Sequence, residues 1–205
     1  MSNLTFVESS KVKLPGRYPK IGTDMQLEII SKMFFFNKKI ADYSDEDGKP
    51  FYYRTSGGRY FKIVTDYSTG STQETTYFVQ QKFTKLIAAT LSTSFFWFYV
   101  QVYCDDHHVK RFELETFPLP DLENLSRSDI EHVEKIYNEY LFDIEKNSSV
   151  FKSGTKNYKL VRSKPLIDKL DDLIGKFYGL NAAEIDFIKN FELEIRMSGL
   201  DDSDS

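Results

Sequence analysis

From Thr23 onward, apolar residues recur three and four apart at Leu27, Ile30, Met33 and Phe34. That spacing puts them on one face of a helix, with Thr23 placed to cap it and Glu28 and Lys32 on the polar side. The pattern then changes period. Phe51-Tyr52-Tyr53-Arg54-Thr55 and Tyr60-Phe61-Lys62-Ile63-Val64 are rich in aromatic and β-branched residues, and Ser56-Gly57-Gly58 between them suits a tight turn. Together they predict a β-hairpin. Before it, Asp42 to Gly48 reads as a solvated acidic turn, too short for an EF-hand calcium loop and lacking its terminal glutamate. After it, Asp66 to Thr76 reads as a polar loop and Tyr77-Phe78-Val79 as a short strand.

The middle of the chain is a run of nineteen residues without a charge, Leu86 to Cys104. Lys82 to Ala89 and Ser94 to Tyr103 read as two helical pieces with Ser92, Thr93 or Ser94 between them as a cap. A run of about twenty apolar residues is also the length that crosses a bilayer. Four hydroxyl residues at its centre, Gln101, and the charge carried elsewhere favour a buried core instead. Further on, Ile130, Val133, Tyr137, Tyr140, Leu141 and Ile144 make one face of a long amphipathic helix, Ser126 to Lys146, started by Ser-Arg-Ser-Asp. Asn147 to Asn157 reads as a polar linker and Tyr158 to Val161 as a short strand. Pro165 suits the first turn of a helix that reaches Tyr178 and stops at Gly179. Ala182 to Asn190 is a last short helix, and Ser198 to Ser205 an acidic tail. The whole predicts an α+β fold, with a small sheet including Phe51 to Val64 in residues 1–120 and a helical part in residues 121–205.

Composition adds two points. Eighteen Phe and thirteen Tyr make 16% aromatics, enough for a dense aromatic core or a surface that stacks on something flat. A single cysteine excludes an internal disulfide, and with no hydrophobic leader over Met1 to Lys20 it points to the cytoplasm. The net charge of −4 is unevenly spread. Residues 1–48 balance seven basic against seven acidic groups. Residues 49–85 hold Lys49, Arg54, Arg59, Lys62, Lys82 and Lys85 against Asp66 and Glu74, whereas residues 121–205 hold twelve basic against eighteen acidic groups. Local field, more than total charge, governs contact with phosphates.

The candidate chemistry follows from that field. In Arg54-Thr55-Ser56-Gly57-Gly58-Arg59-Tyr60-Phe61-Lys62, two guanidiniums can each bond guanine or phosphate in bidentate fashion, and the glycines admit a phosphate close to the backbone. A two-stranded ribbon also fits the major groove. Asp105-Asp106-His107-His108 holds metal-ligand residue types, but adjacent residues do not converge on one ion. Asp47-Gly48-Lys49 matches only the shortest form of a nuclease motif. Cys104 stands beside two aspartates that oppose a thiolate.

The uncharged run, its ionic turn and Phe117-Pro118-Leu119-Pro120 resemble the target-recognition domain of restriction-modification enzymes that methylate adenine in DNA. Lys164 to Asp168, Tyr178-Gly179-Leu180, Glu184 to Ile188 and Arg196-Met197 resemble the closing segment of the single-chain, type IIG-like members. The resemblance covers Phe78 to Met197 and lies in the order of the blocks. It implies a sequence reader for double-stranded DNA, with Arg54, Ser56, Gly57, Arg59, Tyr60, Lys62, Lys82 and Lys85 as contacts and the polar turn His107, His108, Lys110 and Arg111 facing DNA too. It also implies that S-adenosylmethionine, and magnesium where a nuclease is present, belong to catalytic domains that these residues lack. The ten glycines include no Gly-x-Gly and the six prolines no Pro-Pro, the turns those enzymes use for cofactor and flipped adenine. The expected chain is therefore a specificity fragment or subunit that neither methylates nor cleaves alone and works with a methyltransferase domain. A protein-docking module, using the acidic helical end, is the competing expectation.

Overall fold

Thr23 caps the first helix as its position predicts. Its hydroxyl accepts the Gln26 amide while the Gln26 side chain accepts the Thr23 amide, satisfying donors that a helix start leaves open. The helix, α1 (Asp24–Met33), buries Ile29, Ile30 and Met33, with Leu27 only half-buried. The computed structural model describes residues 12–56, 62–104, 108–150 and 156–193.

After α1 come β1 (Lys38–Lys39), β2 (Ser44–Arg54), β3 (Val64–Thr65) and β4 (Glu74–Val79). The last three form one antiparallel sheet in the order β3-β2-β4. Tyr53 pairs with Val64, and Phe51 with Tyr77. The two segments of the expected hairpin pair, the second as Val64–Thr65 among the described residues, while residues 57–61 between them lie outside those described. The acidic stretch is not a free turn. Its end lies within β2, where Ser44 and Lys49 both oppose Val79 across a bulge. Gly48 makes this possible, because a Cβ there would stand 2.0 Å from the Val79 carbonyl oxygen. Only a residue without a side chain lets the strands approach so closely.

The uncharged run becomes α2 (Thr84–Leu91) and α3 (Ser94–Tyr103), bent by 72° at the break between them. In α2 every residue but Lys85 is buried, and in α3 every residue but Gln101. A helix apolar all round has no solvent face to keep. Hydroxyls at the break are satisfied locally: Thr90 donates to the Leu86 carbonyl at 2.8 Å and Ser92 to that of Ala88 at 2.9 Å. Among the described residues no single helix is long and apolar enough to cross a membrane, and only this bent pair passes that test jointly.

A short helix absent from the sequence reading, α4 (Arg111–Glu115), leads to β5 (Pro118–Leu119), which pairs with β1. The long amphipathic helix is α5 (Arg127–Lys146), capped by Ser126 and buried through Val133, Ile136, Tyr137, Tyr140, Leu141 and Ile144. Part of the expected linker pairs instead, as β6 (Ser148–Val150) against β7 (Lys156–Tyr158), and Leu160–Ser163 is a 3-10 turn rather than a strand continuation. Then follow α6 (Lys164–Phe177) and α7 (Ala182–Asn190). The architecture is α+β. One hydrophobic cluster runs from Val12 to Ile188 and crosses residue 120 without interruption. Most of the aromatics serve this core, among them Phe51, Phe95, Phe96, Phe98, Tyr99, Phe117, Tyr137 and Tyr140. Burying each such ring contributes roughly 1.5–3 kcal/mol. Lys32 on α1 meets the buried Glu184 of α7 at 2.5 Å, closing the two ends of the fold on each other.

Candidate nucleic-acid interface

The hairpin and the turn before α4 are far apart in sequence and adjacent in space. The Val109 amide donates to the Thr55 carbonyl at 2.9 Å, at the point where β2 gives way to its loop. Arg54 N–H reaches Ile63 carbonyl at 3.1 Å, holding the loop's other root. Ser56 is half-buried at the start of that loop, and His108, Lys110 and Arg111 are exposed beside it. Gly57, Arg59, Tyr60 and His107 lie outside the described residues.

Two predicted contacts turn inward. Arg54 is 9% exposed, its guanidinium bonded to the Lys156 carbonyl at 3.2 Å and to Thr69 at 3.4 Å, and 5.1 Å over the Tyr158 ring. Tyr158 in turn donates to Glu145, which also accepts Tyr67 and Lys156. Burial alone would raise Glu145, but the bonds from Lys156, Tyr158 and Tyr67 outweigh it and hold the carboxyl below its ordinary value. The arginine thus braces β2 against the β6/β7 pair, and in this conformation its guanidinium faces the protein. Lys62 is 6% exposed, and burial pulls its ammonium below the ordinary value.

Nor do Lys82 and Lys85 join this edge. Six residues of β4, about 17 Å at 3.3 Å per residue, separate Glu74, which pairs with Arg54, from Val79 at the end that leads to Lys82. Lys82 lies over the Phe83 ring, and Lys85 is engaged by Asp66 at 3.7 Å and Asn138 at 3.0 Å.

A segment that looked neutral in the sequence supplies cations the first reading missed. Leu14-Pro15-Gly16-Arg17 is a tight turn closed by Arg17 N–H to Leu14 carbonyl at 3.0 Å, with Gly16 at φ +70° as such a turn requires. Its Arg17 pairs with Glu113 at 2.7 Å, and the other oxygen of Glu113 accepts the Lys110 amide at 3.1 Å. Lys20 bonds the Cys104 carbonyl at 2.5 Å and, through its amide, that of Val102 at 2.8 Å. The strap therefore fastens both roots of the 104–110 turn, and Thr55 fastens it a third time. Among the described residues, the charges of Glu113, Arg17, Lys20 and Lys62 all act on Cys104. Burial first, then Glu113, pushes the Cys104 thiol up to about 12, so it is no nucleophile at neutral pH.

The strap was legible in one respect. Lys11, Lys13, Arg17 and Lys20 face no acidic residue between Ser9 and Thr23, a density hidden when the segment is averaged to residue 48. Among the described residues no group of three or more His, Cys, Asp and Glu converges to hold a metal ion. No protein-family model matches the chain, and no curated protein or solved structure does either.

Proposed function

We propose that this chain reads sequence in double-stranded DNA for an adenine methyltransferase of a restriction-modification system, in the cytoplasm and without catalysing the transfer itself. The observation that carries the reading is the Thr55–Val109 bond, which joins the end of β2 to the residue between His108 and Lys110. Phosphate contacts supply affinity and register, whereas base edges supply sequence information. In this reading Ser56, His108, Lys110 and Arg111 make the groove contacts. Methyl transfer, S-adenosylmethionine and any magnesium-dependent cleavage are assigned to the partner domain.

The test is selection of the chain against randomised duplex DNA at about 50 mM salt, a condition that favours phosphate contact. Enrichment of one short sequence, lost on replacing His108, Lys110 and Arg111 by alanine, is the expected result. Recovery of unselected sequence with unchanged affinity in that triple variant overturns it. A docking role for the helical end has one specific support of its own: Phe142 stands 73% exposed on the outer face of α5, a ring of the kind that protein interfaces bury.

A further inference from the structure

Resting on the DNA-reading role, we propose that Lys13 and Tyr18 form a two-donor clamp for a single phosphate of the DNA backbone, flanking the bases that the turn at His108 to Arg111 faces. Both residues flank the Leu14–Arg17 turn. The turn brings the Lys13 ammonium to 3.1 Å from the Tyr18 hydroxyl and 4.3 Å over its ring. Tyr18 is 73% exposed, so this pairing contributes nothing to the core that would explain it. Two donors so close can each bond a different oxygen of one phosphate.

Placement gives the clamp its target. Tyr18 follows Arg17, which bonds Glu113, and stands two residues before Lys20, which bonds Cys104. At no more than about 3.8 Å per residue, the Tyr18 backbone stays close to Lys20, which bonds the Cys104 carbonyl. Lys13, Arg17 and Lys20 lie in one stretch with no acidic residue between them, a charge of the sign that attracts phosphate. The hydrogen bond from Lys13, and then its charge, draw the Tyr18 phenol below its ordinary value. A more acidic phenol is the stronger donor to a phosphate oxygen. On binding, the hydroxyl turns its proton from solvent to one oxygen while the ammonium moves to the other, and no covalent change is involved. The contact carries no base information, so it strengthens binding to all sequences alike.

Duplex affinity as a function of salt tests this with the whole chain, on the wild type and on Lys13→Ala, Tyr18→Phe and Tyr18→Ala. The clamp predicts that Lys13→Ala lowers the log–log salt slope by about 0.9, the value of one phosphate, and that it weakens selected and scrambled duplexes equally. Tyr18→Phe should weaken both as much as Tyr18→Ala does, because the hydroxyl is what binds. If Tyr18→Phe binds like wild type while Tyr18→Ala does not, the ring stacks on a base and the clamp is wrong. Free phosphate is the other source of the same chemistry. The Tyr18 ring resonances should shift with duplex and stay unmoved by inorganic phosphate at constant ionic strength, and the reverse result overturns the DNA assignment. A wild-type chain that binds no duplex defeats the parent reading and the clamp together. A wild type that binds, with variants of unchanged slope, defeats the clamp alone.

Discussion

The carboxylate of Asp171, wholly buried on α6, accepts the main-chain amide of Ser94 at 2.8 Å. The first turn of α3, in the middle of the uncharged run, is thus capped by a residue 77 positions later. Its other oxygen, Oδ2, has no hydrogen-bond partner. Burial raises the acid most. The Ser94 hydroxyl and amide and the Lys164 charge oppose this, Asp168 adds to it, and the result is about 6 against an ordinary 3.8.

Asp171 therefore gives the fold a pH dependence of definite sign. Between about 4 and 6 the folded protein holds this proton more tightly than the unfolded chain does, so the contribution is fully present below the ordinary value and is lost as pH rises through about 6. Two units correspond to roughly 2–3 kcal/mol. Urea unfolding of Asp171→Asn across that range should show wild-type stability falling relative to the variant as pH rises. Parallel curves would refute the assignment.

Arg54→Ala should act as a structural lesion. Its hydrogen bonds to the Lys156 carbonyl and Thr69, and its stacking on Tyr158, hold the β6/β7 pair to the end of β2. Losing charged, largely buried bonds of this kind costs about 1.5–3 kcal/mol. Thermal unfolding should fall accordingly, while the salt slope of duplex binding at temperatures where the variant is folded stays at the wild-type value. A slope reduced by about one would show that the guanidinium reaches a phosphate.

Gly48→Ala should destabilise by about 2 kcal/mol or more, comparable with overpacking in a core, because the new methyl would press on the Val79 carbonyl at the bulge. Amide exchange should accelerate in β4 first. An unchanged melting temperature would mean that the bulge is looser than the spacing of its strands implies.

Glu113→Gln tests the fastening of the turn. The carboxylate is 3% exposed and holds the Arg17 guanidinium and the Lys110 amide at once. The amide variant should lose the ion pair, cost about 1–3 kcal/mol, and broaden the backbone resonances of His108 to Arg111 more than those of α5. Uniform broadening would show no special link to the turn.

Helices announced themselves in this sequence where capping and period agreed. Thr23 before α1, and Ser126 with the stripe from Ile130 to Ile144, gave boundaries that the structure keeps. Pattern failed where pairing across the fold decides. Lys38–Lys39 and Pro118–Leu119 are too short to carry a period, and only their meeting makes them strands. Asp45 to Gly48 looks like a solvated loop because the bulge leaves Glu46 and Asp47 in water even as the strand continues. At the candidate interface, residue type pointed to two segments that meet in the fold but could not tell inward from outward. Arg54 and Lys62 sit in a stretch of strand residues, and which face each meets depends on Tyr158, 104 positions beyond the arginine, and Cys104, 42 positions beyond the lysine.

The Lys32–Glu184 pair spans 152 positions, and that distance sets a schedule for the ribosome. The apolar walls of α2 and α3 are made early, whereas α6 and α7, which cover them, are translated last. At 5–20 residues per second, the hundred or so residues from Leu86 to Ile188 take roughly 5–20 s to appear. Through that interval the nascent chain carries an uncovered aromatic surface, the kind of cargo that holdase chaperones retain until the final helix emerges.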